Sequence, residues 1–500
     1  MESLDLLLFG FSEIVTIERI IIVFLSVFIG TMIGVLPGLG PVATMSLLLP
    51  FTYNTSLLSG MIMLSGIYYG ASYGGSTTSI LVNIPGEASS VVTCLDGYQM
   101  ARQGRAGPAL GIAAIGSFIA GTMGLIGLMF LAPPLASIAL KFGPPEYVSV
   151  MCTGFVLLTY LASGSTIRAL MIAIVGIMLG CAGLDLETGL PRFTLGITDL
   201  LGGIEIAPFA MGLFGISEVL INIEEVLKEK RSVFSAKIKN LLPNLQDWHD
   251  SLVPIIRGSV LGFFVGILPG GGAVVSSFSS YAIEKKMSKH PERFGKGAIE
   301  GVAGPESANN SATAGAFIPL LTLGIPSNAV MALLLGGLMI HGVTPGPRFL
   351  PEHPDIFWGL IASMYVGNIF LLVINLPLIG IWVHLLQVPY KLLFPLILIF
   401  CLIGCYSINN NTFDIGVMLF FGAIGYLMRK YKFEGAPMIL AFVLGPMFET
   451  SLRQSLLLSD GSFLIFLTRP IAAAGIIVSI LILLSSVITF IRKRKGVIEK

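Results

Sequence analysis

The sequence predicts an all-α polytopic membrane protein with an inverted structural repeat: about 11 crossings, two re-entrant hairpins and two broken helices. Three observations predict it. Charged residues make up 11% of the 500 residues, against about 25% in soluble proteins, and the mean hydropathy is +0.89. Apolar runs such as residues 476–484 are continuous, which suits helices and not the alternating pattern of an outer-membrane barrel. Two Pro/Gly-rich interruptions recur in the same order in each half. The 59 glycines fit closely packed spans, and the net charge of +1 suggests no nucleic-acid partner.

The first repeat is expected over residues 1–222. Its start is acidic, with Glu2, Asp5, Glu13 and Glu18 set against Arg19. Apolar residues 20–36 reach Pro-Gly-Leu-Gly-Pro at 37–41, and residues 42–51 resume the run. This predicts a re-entrant hairpin with its tip at 37–41. The run lacks a basic leader, so it reads as a span and not as a cleaved signal peptide. A broken helix is expected over 57–100, interrupted by Asn83-Ile84-Pro85-Gly86-Glu87. Spans follow at 108–131, 147–162, 167–183 and 203–222. A hydrophilic cytoplasmic loop, 223–251, carries Lys228, Lys230, Arg231, Lys237 and Lys239 and divides the chain.

The second repeat is expected over 252–450. Residues 252–268 reach Pro-Gly-Gly-Gly at 269–272 and return through 273–283, a second hairpin. A broken helix covers 298–341. As one straight helix it would be roughly 66 Å long, about twice the hydrocarbon core, and Gly324-Ile325-Pro326-Ser327-Asn328 interrupts it. Spans follow at 357–386, 392–406, 413–428 and 437–448. Residues 451–500 supply an interfacial segment, a last span at 470–491 and a basic tail from Arg492 to Lys495. Trp358 and Trp382 are expected at the two interfaces of one span. With each hairpin counted as no crossing, the basic clusters fall on one side. The N-terminus is then outside and the C-terminus cytoplasmic.

The repeat is read from matched motifs. GVLPGLGPVAT at 34–44 aligns with GILPGGGAVVS at 266–276, and IPGEA at 84–88 with IPSNA at 325–329. Paired interruptions in inverted halves point to a transporter's binding site near the midplane. Glycine lets backbone approach a ligand. Half-helix N-termini offer N–H groups to a carboxylate, and their C-termini offer carbonyls to a cation. Candidate solute-binding residues are Pro37, Gly38, Leu39, Gly40, Ser76, Thr77, Asn83, Pro85, Gly86, Gly270, Gly271, Gly272, Ser307, Asn309, Asn310, Ser311, Pro326, Ser327 and Asn328. Glu306, Glu87 and Thr313 are candidates for cation coupling, because a carboxylate at membrane depth is costly and marks function. A kinked helix packed through small residues would not call for Glu306 and two adjacent asparagines. Glu87, next to a polar loop, fits a water interface equally well.

At these residues the sequence resembles the tripartite tricarboxylate transporter family, in its large membrane (TctA-like) subunit. The carrying motifs are GVLPGLGP at 34–41, YGGSTTSILVNIPGE at 73–87, DGYQMARQGRAG at 96–107, GILPGGG at 266–272, the long stretch 294–347 and LLLSDGSFLIFLTRP at 456–470. One departure is Pro326-Ser327-Asn328, where the family more often has Gly after the Pro. The resemblance implies a bacterial inner-membrane importer of tricarboxylates or related citrate-like carboxylates, cation-coupled and working by an elevator-type mechanism. It also implies a periplasmic solute-binding protein and a small four-span membrane subunit as partners. A homodimer or a complex with the small subunit is expected.

Other functions are weighed against this one. There is no GxxxxGK[ST] phosphate loop, so ATP use is not expected. No HExxH or paired intramembrane aspartates occur, so the chain is not expected to be an enzyme. No cofactor is expected beyond Na⁺ or H⁺ as coupling ion. Cys94, Cys152, Cys181, Cys401 and Cys405 lack metal-ligand company and read as small core residues. A stand-alone anion symporter or a channel is barely separable from the first reading by sequence alone.

Overall fold

Small residues repeated every fourth position let helices touch backbone to backbone, and this contact builds both halves of the molecule. The computed structural model describes residues 2–36, 40–161, 166–185, 187–228, 240–270, 272–386 and 390–498. The first half runs α1 (Glu2–Ile14), α2 (Ile17–Val35), α3 (Pro41–Thr52), α4 (Leu57–Val82), α5 (Val91–Arg102), α6 (Ala106–Ala139), α7 (Pro144–Leu161) and α8 (Thr166–Gly180). An antiparallel pair, β1 (Gly183–Leu184) and β2 (Pro191–Arg192), then precedes α9 (Ile206–Ala210), a π-helical turn (Met211–Ile216) and α10 (Ser217–Lys228). The second half runs α11 (Leu245–Ile267), α12 (Gly272–Met287), α13 (Glu300–Leu323), α14 (Ala329–Ile340), α15 (Phe349–Glu352), α16 (Pro354–Asn375), α17 (Ile379–Leu385), α18 (Tyr390–Asn409), α19 (Thr412–Lys430), α20 (Ala436–Leu457), α21 (Ile465–Thr468) and α22 (Pro470–Ile498).

In the first half α2 lies on α4. A Cβ on Gly30 would sit 2.6 Å from the Ile67 carbonyl oxygen, and one on Gly34 would sit 2.3 Å from that of Ala71. In the second half α11 lies on α13 in the same way: a Cβ on Gly258, Gly262 or Gly266 would sit 2.3, 2.1 or 2.3 Å from the carbonyl oxygen of Gly304, Ala308 or Ala312. Both α4 and α13 end on a left-handed residue, Asn83 at φ 58° and Gly324 at φ 72°. Beyond each lies an X-Pro step and another helix.

Every residue from Leu64 to Leu81 of α4 and from Gly301 to Thr322 of α13 is buried. Among the described residues, six helices are long and apolar enough to cross a membrane: Ile17–Val35, Ala106–Ala139, Ile206–Glu224, Leu245–Ile267, Pro354–Asn375 and Thr412–Lys430. The two central helices, α4 and α13, are not among them. Their hydroxyls, amides and Glu306 make them too polar for lipid, and the other helices enclose them.

Several boundaries differ from expectation. The expected span 108–131 is part of α6, which runs through Pro133 and Pro134 to Ala139. Two prolines cost hydrogen bonds but do not here end a helix packed along its length. Residues 357–386 are not one span: α16 ends at Asn375 and α17 turns back toward α2. Trp382 is therefore buried, donating from Nε1 to the Ile374 carbonyl at 3.0 Å, and Trp358 is 3% exposed. Neither is an interface anchor. Residues 1–19 contain α1, which packs on α16 so closely that a Cβ on Gly10 would meet the Trp358 carbonyl oxygen at 2.3 Å.

The strand pair is fastened to α20 by ions. Arg192 is bidentate to Glu449 (2.6 and 3.0 Å), and Arg453 reaches Asp185 (2.9 Å) and Glu449 (2.6 Å). The hydrogen bond from Arg453 holds the Asp185 carboxyl well below the usual carboxylate range, helped by the backbone N–H of Glu187. Because that pKa is depressed on folding, the contribution is complete above the unfolded value of about 3.9 and fades as pH falls toward the folded one. Proteolysis of the 183–192 segment should therefore begin to rise only below about pH 4. In Arg453→Ala the segment should be cut readily at pH 7 already.

Candidate functional site

The site is built where α13 crosses α4 and α5. Glu306, 1% exposed on α13, accepts the Ser76 hydroxyl of α4 on one carboxylate oxygen and the Thr93 hydroxyl of α5 on the other. One turn further along α13, Asn309 Nδ2 donates to Glu87 Oε1 at 2.9 Å. Glu87 also accepts the Ser89 hydroxyl and caps the short 3₁₀ turn Ala88–Ser90. The chain's two halves thus meet through two carboxylates. Among the described ion pairs, none involves Glu87 or Glu306. Hydroxyls and an amide hold them, and among the described residues no basic side chain is ion-paired to either.

Glycines make the approach possible. A Cβ on Gly86 would lie 2.3 Å from the Gly34 carbonyl oxygen and 2.5 Å from Gly75 Cα, and one on Gly75 would strike Glu87 Cγ at 2.9 Å. The first hairpin is thereby pressed on the first break. The second hairpin meets the second break through a hydrogen bond, Gly270 N–H to the Ser327 carbonyl at 2.8 Å, with Gly270 at φ 76°. That left-handed conformation favours glycine.

The expected site residues divide into groups. Ser76, Glu87, Glu306 and Asn309 come together directly. Asn310 donates to Ser117 Oγ at 2.7 Å and to the Glu306 carbonyl at 3.1 Å, and Thr313 donates to the Asn310 carbonyl at 2.6 Å. Thr77 lines a cavity of about 10 Å³ with Ser76, Tyr73, Ser117 and Asn375. Ser307 and Ser311 are buried against Gly116 and Gly124 of α6, their hydroxyls without a partner. Pro326 and Ser327 are buried at the second break, while Asn328 caps α14 by accepting from Met331 N–H at 3.0 Å. Gly40 caps α3, with Pro41 at its first position, and Gly272 opens α12 at φ 44°. At the first break Asn83 is exposed and Pro85 half-buried. Asn83 thus faces away from the carboxylates. Pro37, Gly38, Leu39 and Gly271 lie outside the described residues.

Sequence reasoning missed several partners. Thr93 reaches Glu306 from 213 positions away. Asp96 of α5 accepts the N–H groups of Gly295 (2.9 Å), Gly297 (2.8 Å) and Ala298 (2.8 Å), and the Tyr281 hydroxyl at 2.9 Å. It ties the lead-in to α13 to the first half and so positions Glu306. Tyr73 donates to Asn368 Oδ1 at 2.8 Å. The readable signal was Asn368 and Asn375, seven apart on one face of an otherwise apolar helix.

The cavities are small: about 20 Å³ beside Asn310 and about 10 Å³ beside Ser76. A larger groove of about 640 Å³ runs along the exposed face of α11, lined by Val253, Ile256, Val260 and Phe264 with Arg257. Its apolar lining suits lipid tails and not a carboxylate.

Two crossed, discontinuous helices, buried amides and unpaired carboxylates inside a shell of apolar helices define a polytopic membrane protein with a polar centre. Residues 20–440 match the Tripartite tricarboxylate transporter TctA family, and the chain belongs to that family. It is 49% identical over 495 residues to an Agrobacterium vitis protein described as the uncharacterized 52.8 kDa protein in the TAR-I ttuC' 3' region, covering 99% of this chain and 98% of that one. A second A. vitis protein, described as the uncharacterized protein in the TAR-II ttuC' 3' region, is 53% identical over 230 residues, 45% of this chain and 95% of that one. No solved structure matches.

Proposed function

We propose that the chain is the large transmembrane subunit of a binding-protein-dependent, cation-coupled importer of tricarboxylates or related citrate-like carboxylates in a bacterial inner membrane. Family membership supports the substrate class and the two partners, a periplasmic solute-binding protein and a small four-span subunit. The observation that carries the mechanism is the meeting of Glu306 with Ser76 and Thr93, beside Glu87 and Asn309, with no basic residue among the described ones paired to either carboxylate. A buried carboxylate, Glu306, beside a half-buried one, Glu87, favours a proton or a metal cation, and an anionic solute raises that demand. α3 and α12 begin at the two hairpin tips and α14 at the second break, and such helix N-termini suit a carboxylate. The matched glycine contacts and left-handed helix ends of the two halves support the inverted repeat. They also support an elevator-type movement in which hairpins and broken helices travel together. Glu306, Glu87 and Thr313 belong to cation coupling in this reading, and Asn309, the Ser307 and Ser311 hydroxyls and the breaks to the solute.

The test is uptake of a panel of di- and tricarboxylates by vesicles containing this chain, the small subunit and the binding protein, with sodium or proton gradients imposed separately. Gradient-driven accumulation of a tricarboxylate, lost when the binding protein is omitted, is the expected result. Downhill flux indifferent to both gradients would point to a channel instead.

A further inference from the structure

The cavity of about 20 Å³ lies between α4, α6, α13 and α16, lined by Tyr69, Tyr73, Asn310, Thr313 and Asn368 together with apolar neighbours. That volume holds one water or one dehydrated small ion. The hydrogens around it are nearly all committed elsewhere. Asn310, 2% exposed, gives its amide hydrogens to Ser117 and the Glu306 carbonyl, so its Oδ1 is left without a partner. Thr313 gives its hydrogen to the Asn310 carbonyl. Tyr73 gives its hydrogen to Asn368 Oδ1. Asn368 gives its own to the Phe118 carbonyl (2.9 Å) and Thr122 Oγ1 (3.1 Å). Tyr69 Oη makes no hydrogen bond of normal geometry, with the Ser65 hydroxyl its polar neighbour. What remains is a set of oxygen lone pairs, with the Tyr69 hydrogen the one donor left over. An anion finds almost nothing to bind there. Hard cations take such oxygens, and the absence of a carboxylate from the lining favours a single charge over a double one.

We propose that this cavity is a binding site for one dehydrated monovalent cation of sodium size, ligated by Asn310, Thr313, Tyr69 and the Tyr73–Asn368 pair. The proposal deepens the cation-coupled reading, and its part in uptake rests on that reading. Its position explains how occupancy is felt at the carboxylates. Asn310 bonds the Glu306 carbonyl, and Tyr73 stands one turn from Ser76, whose hydroxyl holds the Glu306 side chain. A cation drawing Asn310, Tyr73 and Asn368 together fixes α4, α13 and α16 against α6, and with them the geometry around Glu306.

The experiment is thermal unfolding of the purified full chain in detergent, titrated with sodium chloride against choline chloride at constant ionic strength, with potassium as a second arm. Wild type is expected to show saturable stabilisation by sodium. Tyr69→Phe removes an oxygen that makes no hydrogen bond of normal geometry, and Thr313→Val is a near-isosteric second variant. Each should raise the half-saturating sodium concentration by about tenfold or more. Should Tyr69→Phe fail to fold, Thr313→Val carries the test, together with direct ²²Na⁺ binding. Unchanged sodium affinity in both variants, or no saturable effect in wild type, would overturn the site and leave the cavity to a water molecule. If uptake stays sodium-dependent with unchanged affinity in the variants, coupling stands and this site falls. If uptake ignores sodium while binding is intact, the site stands and the coupling reading falls.

Discussion

Glu306→Ala should lower gradient-driven uptake by about 100-fold or more, while the protein still reaches the membrane. Two charge-assisted hydrogen bonds converge on that carboxylate, from Ser76 and Thr93. Bonds of this kind contribute roughly 1.5–3 kcal/mol each, enough for a 100-fold effect. Glu306→Gln separates shape from charge. The amide keeps the volume and can still engage both hydroxyls, so folding should survive, but the charge that demands a cation is gone. Initial uptake rates in vesicles, normalised to the amount of transporter, should therefore lose their dependence on the gradient in this variant. Wild-type rates in both variants would remove Glu306 from the mechanism.

Gly262→Val should reduce the folded protein in the membrane by about tenfold or more, a stability loss of at least about 1.4 kcal/mol. The new Cβ would stand 2.1 Å from the Ala308 carbonyl oxygen, which is backbone and cannot swing aside. The α11–α13 contact must open, and α13 carries Glu306, Asn309 and Asn310. Gly416→Ala is the matching control. That glycine lies in α19 with nothing within 4 Å of its Cβ position, and alanine there should change stability by no more than about 1 kcal/mol, in the stabilising direction. Membrane abundance and detergent melting temperature read both variants. Equal behaviour would mean that close backbone contact does not hold the second half together.

The parts of the molecule legible in its sequence were those marked by covalent chemistry. Pro and Gly announce a broken helix wherever they stand, so the interruptions at Asn83 and Gly324 and the helix starts at Pro41 and Gly272 were placed almost to the residue. Glu306 and the adjacent asparagines could be singled out because solvation energy forbids them in lipid without a reason. Pairings were another matter. Nothing local ties Ser76 or Thr93 to Glu306, or Tyr73 to Asn368, because such contacts depend on how two distant helices cross. Trp382 misled because its preference for interfaces is statistical, whereas a chain reversal after Asn375 gave its N–H a partner indoors. The length of α6 was hidden by Pro133 and Pro134, which break isolated helices more readily than packed ones. The α1 helix went unread because its acidic residues outweighed the apolar face that α16 covers.

The complete enclosure of α13 bears on how the protein is made. A segment with a glutamate and two asparagines cannot wait alone in lipid after leaving the insertion machinery. It must pass directly into a prepared cradle. The helices it touches most, α4, α5, α6, α11 and α12, all precede it in the chain. The order of synthesis thus supplies the receptacle before the insert arrives.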